Sequence, residues 1–211
     1  MADLTKLYDA ILNGDNKTAV AVTKEALAEN ADPLDMVTSY MVPAMDEVGK
    51  RFECEEYFVP ELLLAARAMK GALGLLRPLL AELGAEPLGR VAIGTVKGDL
   101  HDIGKNLIAS MLEGGGFEII DLGADVAPER FVQAVKEKNA NVVCLSALLT
   151  VTMPSMKTTI EALKAAGVRD RVKVLIGGAP VTQQYADEIG ADGYGSSASS
   201  AVPLARKALG K

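Results

Sequence analysis

The sequence has no tryptophan, one histidine, two cysteines and few aromatics of any kind, 4% of its 211 residues. Two thiols are too few for a disulfide framework, and with one His they cannot readily build a four-ligand zinc site. Cys54 and Cys144 are therefore expected as reduced thiols, Cys144 in the core. Basic charge is also short: 22 Lys and Arg stand against 28 Asp and Glu, a net charge of −6, which leaves no phosphate-neutralising excess for a DNA or RNA partner. The longest nearly uncharged apolar run, Val142 to Met153, falls short of the roughly 18 residues that suggest a membrane span, so no membrane partner is expected. The start, Met-Ala-Asp-Leu-Thr-Lys, lacks a basic segment followed by an apolar one, so no secretory signal is expected and the expected location is cytoplasmic.

What is present is hydrophobic residues, 49% of the chain, and 20 glycines, a composition that suits helices packed closely on a parallel sheet. The first 85 residues show helical spacing of apolar positions, as in Leu4, Leu7, Tyr8, Ile11 and in Leu62, Leu63, Ala66, Met69, Leu73. Asn13-Gly14-Asp15 marks a turn, and Asp32-Pro33 a helix start, because Asp accepts from free amides and Pro suits the first helical position. Four helices are expected, roughly over 3–12, 15–29, 33–50 and 57–83. Gly84 to Gly89 punctuates the chain, so the expected domains are a helical cap, 1–86, and an α/β domain, 90–211.

Beyond that boundary strand and helix alternate: strands near 90–96, 118–122, 142–146, 173–176 and 193–194, with helices from about 104, 128, 154, 181 and 199. The alternation predicts an α/β fold, a Rossmann-like (flavodoxin-like) five-stranded parallel sheet covered on both faces, preceded by the N-terminal four-helix bundle. Ligands of such sheets bind beyond the carboxyl ends of the strands, where a flavodoxin-like order reverses between its first and third strands.

The loop after the first strand, Gly94-Thr-Val-Lys-Gly98-Asp99-Leu100-His101-Asp102-Ile103-Gly104, contains the chain's one histidine. If that loop is extended, Asp99 and His101 project to one side, so the carboxylate can accept from one imidazole nitrogen while the other faces outward as a metal ligand. After the third strand, Ser146, Thr150 and Thr152 offer hydroxyls that can donate or accept. After the fourth, Gly177-Gly178-Ala179-Pro180 lacks side chains where a flat ligand could approach the backbone. Taken singly these signals are weak, since Ser and Thr at strand ends often cap helices and Gly-Gly often makes a turn. Neither G-x-G-x-x-G nor G-x-x-x-x-G-K-[ST] occurs, so the usual phosphate cradles of dinucleotide and P-loop proteins are missing.

In combination Asp99-Leu-His101-Asp-Ile-Gly104, Ser146-Ala-Leu148 and Gly177-Gly178 resemble, in order and spacing, the D-x-H-x-x-G, S-x-L and GG signature of cobalamin-binding domains. These domains occur in methionine synthase and in the corrinoid proteins of methyltransferase systems. The helical half resembles the same family in Met45 to Phe52, Tyr57 to Leu62 and Ala65 to Lys70. The resemblance implies cobalamin or a related corrinoid, in methylcobalamin and cob(I)alamin forms, with His101 replacing the displaced lower base on cobalt. It implies that the displaced tail inserts near Ser146, Leu148 and Gly177-Gly178, with Gly98, Leu100, Asp102, Ile103 and Gly104 around the ligand. Thr150, Ala179 and Tyr194 complete the expected contacts, and Phe52, Val59 and Leu62 are expected over the upper face. Where methionine synthase has a serine completing a His-Asp-Ser relay, this chain has Thr152, so His101, Asp99 and Thr152 are the expected relay.

The resemblance also implies a carrier that takes a methyl group on Co(I) and passes it on from methyl-Co(III). Its partners would be a substrate:corrinoid methyltransferase, a methylcorrinoid:acceptor methyltransferase acting on a thiol or a tetrahydrofolate-type acceptor, and a reductive activation protein. Two other classes share parts of the signature. The B12-binding subunit of an adenosylcobalamin mutase usually lacks the helical cap, and a B12-sensing regulator needs a DNA-binding module for which an acidic chain of 211 residues leaves no room.

Overall fold

The computed structural model describes residues 3–211, which divide into two units. One runs up to Pro87 and takes in Glu113–Gly116; the other comprises Leu88–Leu112 and Phe117–Lys211.

The first unit is helical: α1 (Thr5–Leu12), α2 (Asn16–Ala28), α3 (Pro33–Asp35), α4 (Val42–Glu53) and α5 (Val59–Glu82). Carboxylates start two of them, as Asp15 Oδ1 accepts from the Thr18 N–H at 3.0 Å and Asp32 Oδ1 from the Leu34 N–H at 2.9 Å. α3 passes into α4 through a π-helical stretch, Met36–Met41, which ends two residues before Pro43. A proline there has no N–H to give to the preceding turn and its ring crowds that turn's carbonyl, so a wider turn suits it. These segments together form one of four helical rods. The buried stripe of α5 includes Leu62, Ala65, Ala68, Met69, Ala72, Leu73 and Leu76, and Leu7, Ile11, Val22, Met41, Met45 and Val48 of the other helical segments are buried in the same unit. Leu63, which sequence periodicity assigns to that stripe, lies outside it at 46% exposure, because the 3.6-residue repeat brings Leu62 and Ala65 inward instead.

The second unit alternates β1 (Arg90–Thr95), α6 (Ile103–Gly114), β2 (Glu118–Asp121), α7 (Pro128–Lys138), β3 (Val142–Ser146), α8 (Pro154–Ala165), β4 (Lys173–Gly177), α9 (Gln183–Ile189), β5 (Gly193–Gly195) and α10 (Ala201–Ala208). The last two residues of α6 fall, with the turn that follows, in the first unit. All strands pair in parallel in the order β2-β1-β3-β4-β5, the flavodoxin-like order expected from the alternation. Register pairs Ile93 with Cys144 and Cys144 with Leu175, so alternate residues across the central strands share a face. One set, Ala92, Val143 and Val174, joins a core with Phe131, Met156 and Ile160. The neighbouring set lines a slot on the sheet, described below. β1 lies between β2 and β3, and Thr95 pairs with Ser146 at the strand ends. The loop carrying the histidine therefore leaves the sheet at the reversal of strand order.

Among the described residues no helix is long and apolar enough to cross a membrane.

Candidate functional site

The loop between β1 and α6 is organised by Asp99, whose side chain is fully buried. Its Oδ1 accepts from the His101 backbone N–H at 3.1 Å and lies 2.8 Å from His101 Nδ1. Its Oδ2 accepts from the N–H groups of Leu148 at 2.8 Å and Leu149 at 3.3 Å, and from Thr152 Oγ1 at 2.7 Å. The Thr152 hydroxyl also has the Leu149 carbonyl at 2.8 Å. It has one proton to give, and the carboxylate is the stronger acceptor. Burial alone would raise the Asp99 pKa; the donors from Thr152, Leu148 and His101 outweigh it and hold the carboxyl well below its usual range.

An ionised Asp99 fixes the imidazole tautomer: Nδ1 carries the proton and Nε2 keeps its lone pair. The His101 side chain is 51% exposed, so the ring is anchored at one end and open at the other. Thr95 Oγ1 donates to the His101 carbonyl at 2.8 Å, pinning the backbone to the end of β1. Among the described residues no three His, Cys, Asp or Glu side chains converge on a metal position.

The surroundings fit a corrin macrocycle. Leu100 is 76% exposed and Ile103 82%, and the facing loop adds the exposed Leu148, Leu149 and Val151. Large apolar side chains left in water beside an exposed imidazole are a surface prepared for a flat apolar ligand. Gly104 contributes by absence: a Cβ there would meet no heavy atom within 4 Å, so the space above it is open to a ligand. Next to this surface, Ile93, Ile108, Cys144, Ser146, Leu175 and Gly177 are among the residues lining a narrow, almost wholly apolar slot. Ser146 and Gly177, paired across β3 and β4, sit at its strand-end side.

Some expected residues lie differently. Gly178 adopts φ of 134°, and a Cβ on it would stand 1.8 Å from the Ala147 carbonyl oxygen. The close approach that this glycine permits is to the chain's own backbone, so its missing side chain is consumed by the turn rather than left for a flat ligand. Tyr194 packs against the core that contains Phe131 and Ile160, because strand alternation turns Gly195 toward the slot in its place. Ala179 is exposed in the turn after β4, and Thr150 and Asp102 are exposed in their loops. On the helical unit, Leu62 is wholly buried, Val59 is 40% exposed at the start of α5, and Phe52 is half-buried near the end of α4.

Sequence reasoning did not single out four participants. Leu149 and Val151 signalled themselves only as apolar residues in a loop where polar ones are usual. Lys105, 1% exposed, donates from Nζ to Asp121 at 2.7 and 2.8 Å and to Asn106 Oδ1 at 2.7 Å, tying the start of α6 to the end of β2. Nothing in the sequence marks that lysine as buried. Asp125, in the loop after β2, accepts from the Gly98 N–H and pairs with Lys97.

Residues 4–77 and residues 89–202 each match a family model described as a B12 binding domain. The trimethylamine corrinoid protein of Methanosarcina barkeri is 45% identical over 208 residues, 98% of this chain and 96% of its own length. A cobalamin-binding protein from Desulfitobacterium hafniense superposes with a TM-score of 0.80 at 34% identity, covering 99% of both chains. A chain of the methanol:cobalamin methyltransferase complex of Methanosarcina barkeri superposes with a TM-score of 0.86 at 26% identity, over 98% of this chain and 79% of that one.

Proposed function

The chain belongs to the B12-binding corrinoid proteins, and from that premise we propose that it carries methyl groups between two methyltransferases, with His101 as the protein ligand to the corrinoid's cobalt. The observation that carries the ligand assignment is the anchored imidazole: Nδ1 held at 2.8 Å by a buried, ionised Asp99 on a side chain that is itself half exposed. The bound corrinoid supplies a cobalt centre that accepts and releases a methyl group. Everything else is the work of this chain's residues. Asp99 fixes the tautomer and orientation of His101, and Thr152 holds Asp99. A proton entering the Thr152–Asp99–His101 chain weakens the imidazole as a ligand, and its departure restores it.

Leu100, Ile103, Leu148, Leu149 and Val151 supply the apolar surface beside the ligating imidazole, with Gly104 leaving room for the ring. The slot at Ser146 and Gly177 receives the tail that the imidazole displaces. On the helical unit, Phe52 and Val59 are assigned to the upper face through the resemblance to methionine synthase, whereas Leu62, expected there too, is wholly buried in the bundle core.

Of the partners, a substrate:corrinoid methyltransferase is supported by the likeness to a chain of the methanol:cobalamin methyltransferase complex. A methylcorrinoid:acceptor methyltransferase and a reductive activation protein complete the proposed set, and the proposed location is the cytoplasm. Corrinoid-protein relatives that match 98% of this chain favour the carrier over a mutase subunit or a regulator.

The test is to load the protein with cobalamin and reduce it. A methyl donor is then offered with and without each candidate methyltransferase, and the visible spectrum is followed. Methylation that requires a partner supports the carrier. An adenosyl form that undergoes homolysis would overturn it, and a His101→Ala variant with unchanged cofactor spectrum would remove the ligand assignment.

A further inference from the structure

The loop that bears His101 is held from two sides, and the relay accounts for only one of them. Asp99 ties it to the loop after β3, through Leu148, Leu149 and Thr152. On the other flank of β1 stands the loop after β2, and there Asp125 makes a second set of ties. Asp125 Oδ1 accepts from the Gly98 N–H at 2.8 Å, and the carboxylate pairs with Lys97 Nζ at 3.0 Å. Its own backbone N–H donates to the Asp99 carbonyl at 2.9 Å. One residue thus contacts three consecutive residues, Lys97, Gly98 and Asp99, directly before Leu100 and His101. The two loops are further joined by an isolated parallel bridge between Val96 and Val126.

The backbone of Asp125 is unusual for a residue with a side chain. Its φ is 53°, in the left-handed region that glycine occupies freely and that other residues enter at some cost. Glycine would be the unstrained choice, yet it could supply neither the acceptor for Gly98 nor the partner for Lys97. Gly98 itself has φ of 87°, so the turn that Asp125 grips is also one with little intrinsic preference of its own.

We propose that Asp125 is a positioning residue for cobalt ligation: by bracing Lys97, Gly98 and Asp99 it holds the His101 loop in the conformation from which the imidazole binds the metal. The inference rests on the assignment of His101 as ligand. Without the brace the loop samples other turns at Gly98, and the imidazole spends more time off the metal, since the apparent strength of a ligand falls with the fraction of time it is correctly placed.

The strain at position 125 provides a variant that separates positioning from folding. Asp125→Gly relieves the left-handed backbone while deleting the side-chain ties to Lys97 and Gly98, and Asp125→Asn keeps both an acceptor for the Gly98 N–H and tolerance of positive φ. The full-length protein, loaded with cobalamin and poised as Co(II), is read by EPR for imidazole nitrogen coupling and titrated for the Co(II)/Co(I) midpoint. In Asp125→Gly the ratio of His-bound to His-free cobalt is expected to fall about tenfold, or ~1.4 kcal/mol. The midpoint should move to less negative potential, because Co(II) loses more from the missing ligand than Co(I) does, and the melting temperature should stay near that of the native protein. Asp125→Asn is expected to stay within about twofold of native. An Asp125→Gly protein with native coupling and midpoint overturns the proposal. Should the native protein itself lack imidazole coupling, the ligand assignment fails separately. Amide hydrogen exchange at Gly98 in cofactor-free protein then decides the brace: faster exchange in Asp125→Gly supports it, and unchanged exchange overturns it.

Discussion

Thr152 Oγ1 lies 2.7 Å from Asp99 Oδ2 and donates to it, across a gap of 53 residues in sequence and between the loops of two adjacent strands. The methyl group that distinguishes this threonine from serine sits in a side chain only 6% exposed, so it packs without displacing the hydroxyl from the carboxylate. Thr152→Ser should therefore keep the hydrogen bond and lose only a buried methyl, costing about 1 kcal/mol. Thr152→Val keeps the shape but removes a donor to a buried carboxylate, at about 1–3 kcal/mol. Urea denaturation of cofactor-free protein reads both. Equal stability of the two variants would mean that the hydroxyl does not support Asp99.

The donors around Asp99 also make a pH prediction. A carboxyl depressed below its usual range contributes stability that is complete above its unfolded value of about 3.9 and is withdrawn as pH falls from there toward the folded value. The native protein should accordingly lose stability between pH 5 and pH 3 more steeply than Asp99→Asn, which has no proton to gain at that site. Urea midpoints at pH 6, 4.5 and 3 measure this, and parallel declines in the two proteins would contradict the depressed carboxyl.

Two glycines of the signature should respond in opposite ways. Alanine at Gly178 would place its Cβ 1.8 Å from the Ala147 oxygen at a φ of 134°, so Gly178→Ala is expected to cost more than about 3 kcal/mol and to threaten folding outright. Alanine at Gly104 meets nothing within 4 Å and sits in the first turn of α6, where it should stabilise cofactor-free protein by about 0.5–1 kcal/mol. Gly104→Ala should nevertheless weaken cobalamin binding about tenfold or more, because the space it fills is the ligand's. Cobalamin titration beside thermal unfolding separates the two effects; unchanged affinity in Gly104→Ala would remove that glycine from the site.

These cases show what the sequence made legible. Strand and helix alternation gave the order of the sheet, since short crossovers leave a parallel sheet few topologies. The two-residue spacing of Asp99 and His101 already implied a carboxylate and an imidazole on one side of an extended loop. Gly178 was harder, because a glycine needed by a ligand and one needed by the chain's own backbone look alike until the neighbouring loop is in place. Asp125 and Lys105 left no signal at all, since a charged residue in a loop or at a helix start is usually solvated and only tertiary contacts reveal otherwise.

The two thiols should differ in reactivity. Cys144 is buried in β3, and burial pushes its thiol up to about 12, whereas Cys54 is exposed at the end of α4. Iodoacetamide at pH 8 should label Cys54 in the folded protein and both residues in denaturant, as mass spectrometry of the two peptides would show. Labelling of Cys144 at the rate of Cys54 under native conditions would contradict its place in the core.

The ion pair of Lys105 and Asp121 is lopsided, with the lysine side chain 1% exposed and the aspartate 46%. The consequences of cutting it from either end should be lopsided too. Removing the aspartate strands a buried ammonium, for which breaking a buried pair costs about 3–5 kcal/mol. Removing the lysine leaves a half-exposed carboxylate that water can take over, and a methionine of similar length refills the apolar space. Asp121→Ala should therefore destabilise the cofactor-free protein by several kcal/mol more than Lys105→Met. Asp121→Asn falls between them, because its amide oxygen can still accept from the ammonium and from the Gly123 N–H that Asp121 holds at 2.9 Å. Urea unfolding of the three variants at pH 7 gives the order directly. Lys105→Met as the most damaged of the three would show that the lysine, rather than the charge left without its partner, supplies the stabilisation at the start of α6.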